Sequence, residues 1–317
     1  LPVLSPFPQL GDNVIDLLRK SEKGVALILT LLITAILVTL IVEVNYSTQV
    51  DLMIAGNFRN DLQAHYLAKS GVNVAISYLK YDAENTDTDN LDEDWAKPYP
   101  PIPVGGGFVE VVTEDENAKI NINLVVKEDG TVNQQISDAL TRLFEMVEVD
   151  VRILDAVINW IDPDVEGEAE DDYYGSLDPP YGCKDGPLDI LSELLMIKDV
   201  TDEVYEKVSK YLTVYSNGMI NINTVGKEVL MCLDEGIDEG IAEGIIQYRG
   251  EKPFDTKGEL KELLDDAVYK RIDPIIDVQS NAFSITSTGR VERVEKAIRA
   301  VIDREGKRIS CRYWKTE

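Results

Sequence analysis

Val25-Ala26-Leu27-Ile28-Leu29-Thr30-Leu31-Leu32-Ile33-Thr34-Ala35-Ile36-Leu37-Val38-Thr39-Leu40-Ile41-Val42 is a run of eighteen residues without a charge. As a helix rising 1.5 Å per residue it is about 27 Å long, close to the hydrocarbon thickness of a bilayer. Arg19, Lys20 and Lys23 come before it, Glu43 and Asp51 after it. Basic flanks stay in the cytoplasm, so this order predicts one crossing, with the N-terminus inside and the rest of the chain exported. A buried core helix is the alternative, but eighteen charge-free residues at this end of the chain argue against it. A secretory signal would have a shorter apolar region ending in small residues. Here the run ends at Leu40-Ile41-Val42-Glu43, a poor cleavage context.

Beyond the run the helix is expected to continue to about residue 80. Ala64, Ala68, Gly71, Ala75 and Tyr78 recur at three- and four-residue spacing and make a narrow stripe of mostly small residues, suited to a sheet that packs close. An acidic tract from Asp82 to Asp94 ends the helix, and Pro98-Tyr99-Pro100-Pro101-Ile102-Pro103 cannot be helical. Phe108–Val112 alternates and reads as a strand, Lys119–Asn123 as a second. The next β pattern comes only at Ala282–Thr288 and Lys296–Ile302, with a turn expected near Gly289. Helical patterns fill the interval. The predicted fold class is α+β: an N-terminal transmembrane helix packed on a small antiparallel sheet, with a large, mostly α-helical insertion. Residues 43–125 with 281–310 make the discontinuous α/β domain, 126–280 the insertion and 311–317 a tail. Two separate domains would leave the C-terminal strands as an isolated hairpin, which is marginal. Ile120-Asn121-Ile122-Asn123 is echoed by Ile220-Asn221-Ile222-Asn223, each followed by helical sequence, which points to a duplication.

The 317 residues hold 58 acidic and 31 basic side chains, a net charge of −27. Such a surface is soluble, repels phosphate backbones and attracts cations. From Ser280 onward basic residues outnumber acidic ones, as an exposed edge strand or a contact for an acidic partner would. His65 is the single histidine, and no P-loop, G-x-S-x-G or H-E-x-x-H motif occurs, so the chain is not expected to be an enzyme. The cysteines are Cys183, Cys232 and Cys311, with no C-x-x-C pair. In an exported body one disulfide can form, Cys183 to Cys232 with Cys311 left over; buried reduced thiols are the alternative.

Seven carboxylates stand between Asp162 and Asp172 without a basic residue. A hard divalent cation would relieve their repulsion; a solvated acidic loop is the alternative. Asp162, Asp164, Glu166 and Gly167 match the start of an EF-hand loop, but its twelfth position is Tyr173 in place of the bidentate Glu. Further on, Ile220–Thr224 with Ile241–Arg249, Phe254, Leu260 and Leu263 resembles a helix-hairpin-helix module. Its turn, Leu233–Gly240, carries four carboxylates where such modules meet phosphate, so no nucleic-acid partner is expected.

The junction Ser21-Glu22-Lys23-Gly24-Val25-Ala26-Leu27 resembles a type IV prepilin processing site. The resemblance implies that a prepilin peptidase cuts between Gly24 and Val25, that residues 1–24 are a leader, and that Val25 becomes the N-methylated first residue. Pilins mostly carry Glu at the fifth mature position; Leu29 stands there, as in minor pseudopilins that end a filament. The ordered set Trp160-Ile161-Asp162 with Asp164, Ala169–Tyr174, Pro180–Leu188 and Ser192-Glu193-Leu194 resembles the type II secretion protein K family. That resemblance spans about Gly24 to Ile302. It implies a pilin-like α/β domain, a body in the periplasm held by one pass through the inner membrane, and a place at the tip of the secretion pseudopilus. The implied partners are the minor pseudopilins I and J, other pseudopilins and secreted substrates. It also implies calcium, with Asp162, Asp164, Glu170 and Asp171 as ligands and Asp172 and Asp185 as further choices. The rival reading is a minor pilin of a type IV pilus or competence system.

Overall fold

The computed structural model describes residues 11–163, 167 and 171–317. Helix α1, Gly11–Asn85, takes in the apolar run. The chain divides into two compact units, one reaching Asn60 and the other beginning at Asp61. In the first unit the large apolar side chains between Val25 and Val42 all point outward, from 48% exposed at Ile33 to 68% at Ile28. Among the described residues one helix is long and apolar enough to cross a membrane, and this is it.

In the second unit the chain runs on from α1 through β1, Ile102–Val104, and β2, Gly107–Asp115. It then leaves the sheet for β3, Ile120–Asn121; α2, Gln134–Met146; α3, Arg152–Ile161; α4, Asp171–Gly175; α5, Asp202–Val208; and β4, Leu212–Thr213. A second excursion follows as β5, Ile220–Asn221; α6, Lys227–Leu233; α7, Glu239–Glu251; α8, Asp266–Ile272; and β6, Ile276–Asp277. The chain returns as β7, Ala282–Val291; β8, Val294–Glu305; and β9, Arg308–Thr316. The five-stranded antiparallel sheet has the order β1-β2-β7-β8-β9.

Residues 61–85 of α1 lie on this sheet. Ala64, Leu67, Ala68, Gly71, Val72, Ala75 and Leu79 are buried; Ala68, Val72, Ala75 and Leu79 meet Phe283, Ile285, Ile298, Ala300 and Ile302 from the strands, and Ala64 and Leu67 meet Val291. The small-residue stripe is therefore the packing face, but it ends on Leu79. Tyr78 is exposed and stacks on Tyr99. Two glycines set the close approach. A Cβ at Gly71 would fall against Ser287 Oγ and 2.7 Å from Val111; one at Gly289 would fall against the Ala64 carbonyl and 2.6 Å from Ala68 N. Gly289 is thus not a turn. It lies inside β7, opposite Val109 and Lys296, where the helix backbone crosses the strand. The turn comes later, at Glu292, whose φ is +53°. Two further expectations change. Lys119–Asn123 supplies only β3, which belongs to the insertion, and the tail expected over 311–317 runs as the edge strand β9.

The insertion is built twice. β3 pairs parallel with β4, and β5 pairs parallel with β6. In each copy helices follow the first strand, then a 3-10 turn (Leu191–Met196 or Lys257–Glu262), a short helix and the closing strand. Asn123 grips the backbone N–H and C=O of Leu188 at 2.8 and 2.9 Å, and Asn223 grips those of Phe254 at 2.8 and 3.0 Å. Pro187-Leu188-Asp189 leads to Glu193, which accepts from Asp189 N; Pro253-Phe254-Asp255 leads to Glu259, which accepts from Asp255 N. After the closing strands come Val214-Tyr215-Ser216-Asn217 and Val278-Gln279-Ser280-Asn281. The echo in the sequence is therefore a structural repeat. Its copies share one continuous apolar core, from Ile120 to Val278.

Candidate functional site

Three places carry features that packing alone does not require. The first is the stem. Thr30 and Thr39 donate their hydroxyls to the carbonyls of Leu27 and Ala35 at 2.8 and 2.9 Å, and Thr34 donates to Thr30. The polar side chains of the apolar run thus satisfy themselves on their own helix, as a lipid environment demands. Gly24 and Val25, the expected cleavage and methylation positions, both lie within α1 and are exposed.

The acidic loop lies in the first repeat between α3 and the Pro187 turn, and the second repeat has no counterpart, since α7 leads almost directly to Pro253. Its ends sit on an aromatic cluster. Trp160 packs edge-on against Tyr174 at 4.9 Å, and Tyr181 stacks on Tyr174 at 5.3 Å. Burial raises the Tyr174 phenol above its ordinary range. Asp162, buried, caps the end of α3 with its N–H on Ile158 O. Asp171 opens α4, and its Oδ1 accepts from Cys183 N at 2.8 Å and lies 3.0 Å from the place of a Cβ on Gly182, a tight approach. Asp172 is exposed, as is Asp185, which has φ +49°; Gly186 N donates to Trp160 O at 3.4 Å. Asp164 and Glu170 lie outside the described residues. Oxygen-only donors around a loop fit a hard cation in kind. Among the described residues, however, Asp162, Asp171, Asp172 and Asp185 belong to no set of three carboxylates close enough to share an ion.

Of the two alternatives for Cys183 and Cys232, a disulfide or reduced thiols, the structure has the thiols. Cys232 is a buried, unpaired thiol in α6, pushed up to about 12 by burial, while the Cys183 thiol donates to Asn159 O at 3.3 Å. In the hairpin-like turn Asp234 is turned inward onto Arg271, through contacts of 2.6 and 2.7 Å that hold its carboxyl below the usual range. Glu235, Asp238 and Glu239 remain exposed there.

The third place was not singled out from the sequence. Asp82, Asp89 and Glu93 each offer a carboxylate oxygen to a set lying within 4.8 Å of one another, a geometry able to hold a metal ion. Arg304 of β8 donates to Asp82 Oδ2 at 2.9 Å, to Asp89 Oδ2 and to the Ser280 carbonyl. Trp95 Nε1 donates to Glu93 Oε2 at 2.6 Å. Burial raises both Asp89 and Glu93 above the usual carboxylate range. Behind them Asp115 accepts from Ser280 Oγ, Thr224 Oγ1 and Asn221 Nδ2 at 2.6, 2.5 and 3.2 Å. The end of the sheet, the second repeat and the acidic tract are thereby joined, Asn221 Nδ2 donating also to the Asp89 carbonyl.

Comparison with known proteins bears on the two repeats directly. Residues 118–217 match a family described as type II secretion system protein K, and residues 220–275 match a second family of the same description. The chain belongs to the type II secretion system protein K family. The matched spans coincide with the two repeats. Curated protein K relatives include that of Pseudomonas aeruginosa, 28% identical with 78% of each chain covered. The Aeromonas hydrophila protein K is 25% identical, covering 83% of this chain and 87% of the relative. A chain from the crystal structure of the GspK–GspI–GspJ complex of enterotoxigenic Escherichia coli shares the fold, with a TM-score of 0.72 at 21% identity, covering 83% of this chain and 99% of the other. As a member of the K family the chain is a minor pseudopilin of the type II secretion system, a structural component without catalytic activity. Membership sets aside the reading as a type IV pilus or competence pilin.

Proposed function

We propose that this K-family pseudopilin caps the secretion pseudopilus, seated on the minor pseudopilins I and J, and helps drive folded proteins across the outer membrane. The observation that carries the proposal is the double repeat hung from one end of a helix-and-sheet stem. A subunit with that load cannot stack repeatedly along a thin filament, but one copy fits at its end. The I and J partners follow from the complex solved for the relative from Escherichia coli. Leu29 supports the same place, since an aliphatic side chain offers no charge to the terminal amine of a further subunit. Coexpression of the full chain with its I and J pseudopilins should yield a ternary complex in detergent; K that elutes alone would refute the assignment.

Two further steps belong to this reading. A prepilin peptidase removes residues 1–24, Val25 is methylated, and the body from Asp61 lies in the periplasm, with the apolar run Val25–Val42 crossing the inner membrane. N-terminal mass analysis after coexpression with the peptidase checks this, and an intact Gly24–Val25 bond would overturn it. The acidic loop binds calcium through Asp162, Asp164, Glu170 and Asp171, with Asp172 and Asp185 as further choices. Saturating calcium at a hundredfold excess over Kd stabilises a native state by about 2.7 kcal/mol. The melting midpoint of the full chain should therefore rise in calcium over chelator, and by less in Asp171→Asn. A rise undiminished in that variant would refute the loop as the site.

A further inference from the structure

The tract from Asp82 to Asp94 is acidic throughout, yet its carboxylates divide sharply: Asp87, Asp92 and Asp94 are exposed, whereas Asp82 and Asp89 are buried and Glu93 is half-buried. Arg304 pairs with Asp82 and Asp89 and not with Glu93, so three carboxylates lying close together share a single fixed positive charge. One atom makes the deficit specific. Arg304 and the Ser280 N–H both donate to Asp89 Oδ2; Oδ1 of the same side chain, on a residue 1% exposed, is buried and accepts no hydrogen bond among the described residues. Buried acceptors without a partner are rare and costly.

We infer that Asp82, Asp89 and Glu93 form a second cation site, taking one hard divalent ion of the calcium class, separate from the acidic loop of the first repeat. The donors are all oxygens, the set calcium prefers. Calcium–oxygen distances of 2.3–2.6 Å allow two ligand oxygens to lie roughly 4.6–5.2 Å apart across the ion, and the three offered oxygens lie within 4.8 Å. A neighbouring cavity of about 310 Å³, lined by Asp82, Asp87, Asp89, Ser280 and Arg304, gives water and ions a way in. The hydrogen bonds already made leave room for a metal, since an ionised carboxylate has about four acceptor positions. The ion would fasten three pieces distant in sequence: the last turn of α1 through Asp82, the joint with Ser280 through Asp89, and the Trp95 ring, packed on Phe283, through Glu93.

The test uses the full chain in detergent, titrated calorimetrically with calcium chloride and, in parallel, with terbium excited through tryptophan. Trp95 donates directly to Glu93, so a terbium ion bound there is sensitised by that indole. Glu93→Gln should lose one calcium equivalent or weaken its binding at least tenfold, while Asp171→Asn keeps it. Trp95→Phe leaves all three carboxylates in place; it should keep the calcium equivalent and lose the corresponding terbium emission. The Trp95→Phe pair decides the matter if Glu93→Gln does not fold. Unchanged stoichiometry and affinity in Glu93→Gln, or undiminished terbium emission in Trp95→Phe, would overturn the site. So would the absence of any calcium heat beyond that removed by Asp171→Asn, the outcome expected if the three carboxylates merely share a proton.

Discussion

Replacing Gly289 by alanine puts two rules in opposition. By strand propensity alone, alanine for glycine in a strand interior is worth about 0.5–1 kcal/mol in favour of alanine. The structure reverses the sign. The new Cβ would fall against the Ala64 carbonyl, 2.6 Å from Ala68 N and 2.9 Å from Leu67 Cβ, and two of these three atoms are helix backbone that no rotamer change can move. Relief requires α1 to lift from β7 by nearly 1 Å. A gap of that size forfeits a quarter to a half of each dispersion contact it opens, and overpacking of a tight core costs about 1–3 kcal/mol. The net expectation is a loss of about 2 kcal/mol. For a body of this size that lowers the melting midpoint by about 4–8 °C. Gly244, inside α7 with open space about its Cβ position, is the control, and alanine there should raise the midpoint, since the helix term of about 1 kcal/mol then acts unopposed. Melts of both variants, followed by circular dichroism on the detergent-solubilised chain, check the pair. A midpoint for Gly289→Ala equal to or above the parent's would refute the claim that glycine sets the helix–sheet distance.

Two further expectations concern the insertion. Asp234 has its carboxyl depressed by Arg271, so the pair's stability is fully present above the unfolded pKa near 4 and is lost as pH falls through the lower folded value. Arg271→Gln should lower stability at pH 7, and the difference should fade below about pH 4 in urea titrations; a difference undiminished at pH 2 would count against it. Asn223→Ala strands the Phe254 N–H and C=O in the core and should cost about 2–3 kcal/mol, more than Asn123→Ala at the half-buried equivalent position. Equal losses would show that burial does not set the difference.

The stem and the split sheet were legible because each rests on a local pattern: a charge-free run, and alternation at Phe108–Val112 and Ala282–Thr288. What local pattern could not show were the contacts that close over distance. Gly289 looks like a turn until a helix some 220 residues earlier in the chain is laid across it. Asp82, Asp89 and Glu93 look like solvated acids because their burial depends on Arg304 and Ser280, far along the chain. The duplication showed as Ile-Asn-Ile-Asn, a run of four residues that both copies keep; the other shared runs, such as Ser216-Asn217 and Ser280-Asn281, are two residues long. The Asn-to-backbone clamps that prove it join positions 65 and 31 residues apart, so no fixed spacing reveals them. Leu194 and Leu260, each buried under a 3-10 turn after a Pro-x-Asp, were the remaining signal of equivalence.

The register that sets Asp115 beside Phe283 has a wider meaning. The chain departs for the double repeat and returns from it on neighbouring strands, across a gap that a two-residue turn could bridge. The pilin-like part therefore imposes no length on what it carries. An ancestor could have had a plain hairpin there, a descendant one module or two, and the ladder between β2 and β7 would be the same in each. The two repeats are thus an interchangeable head, free to change their outer surface without disturbing the ladder between β2 and β7.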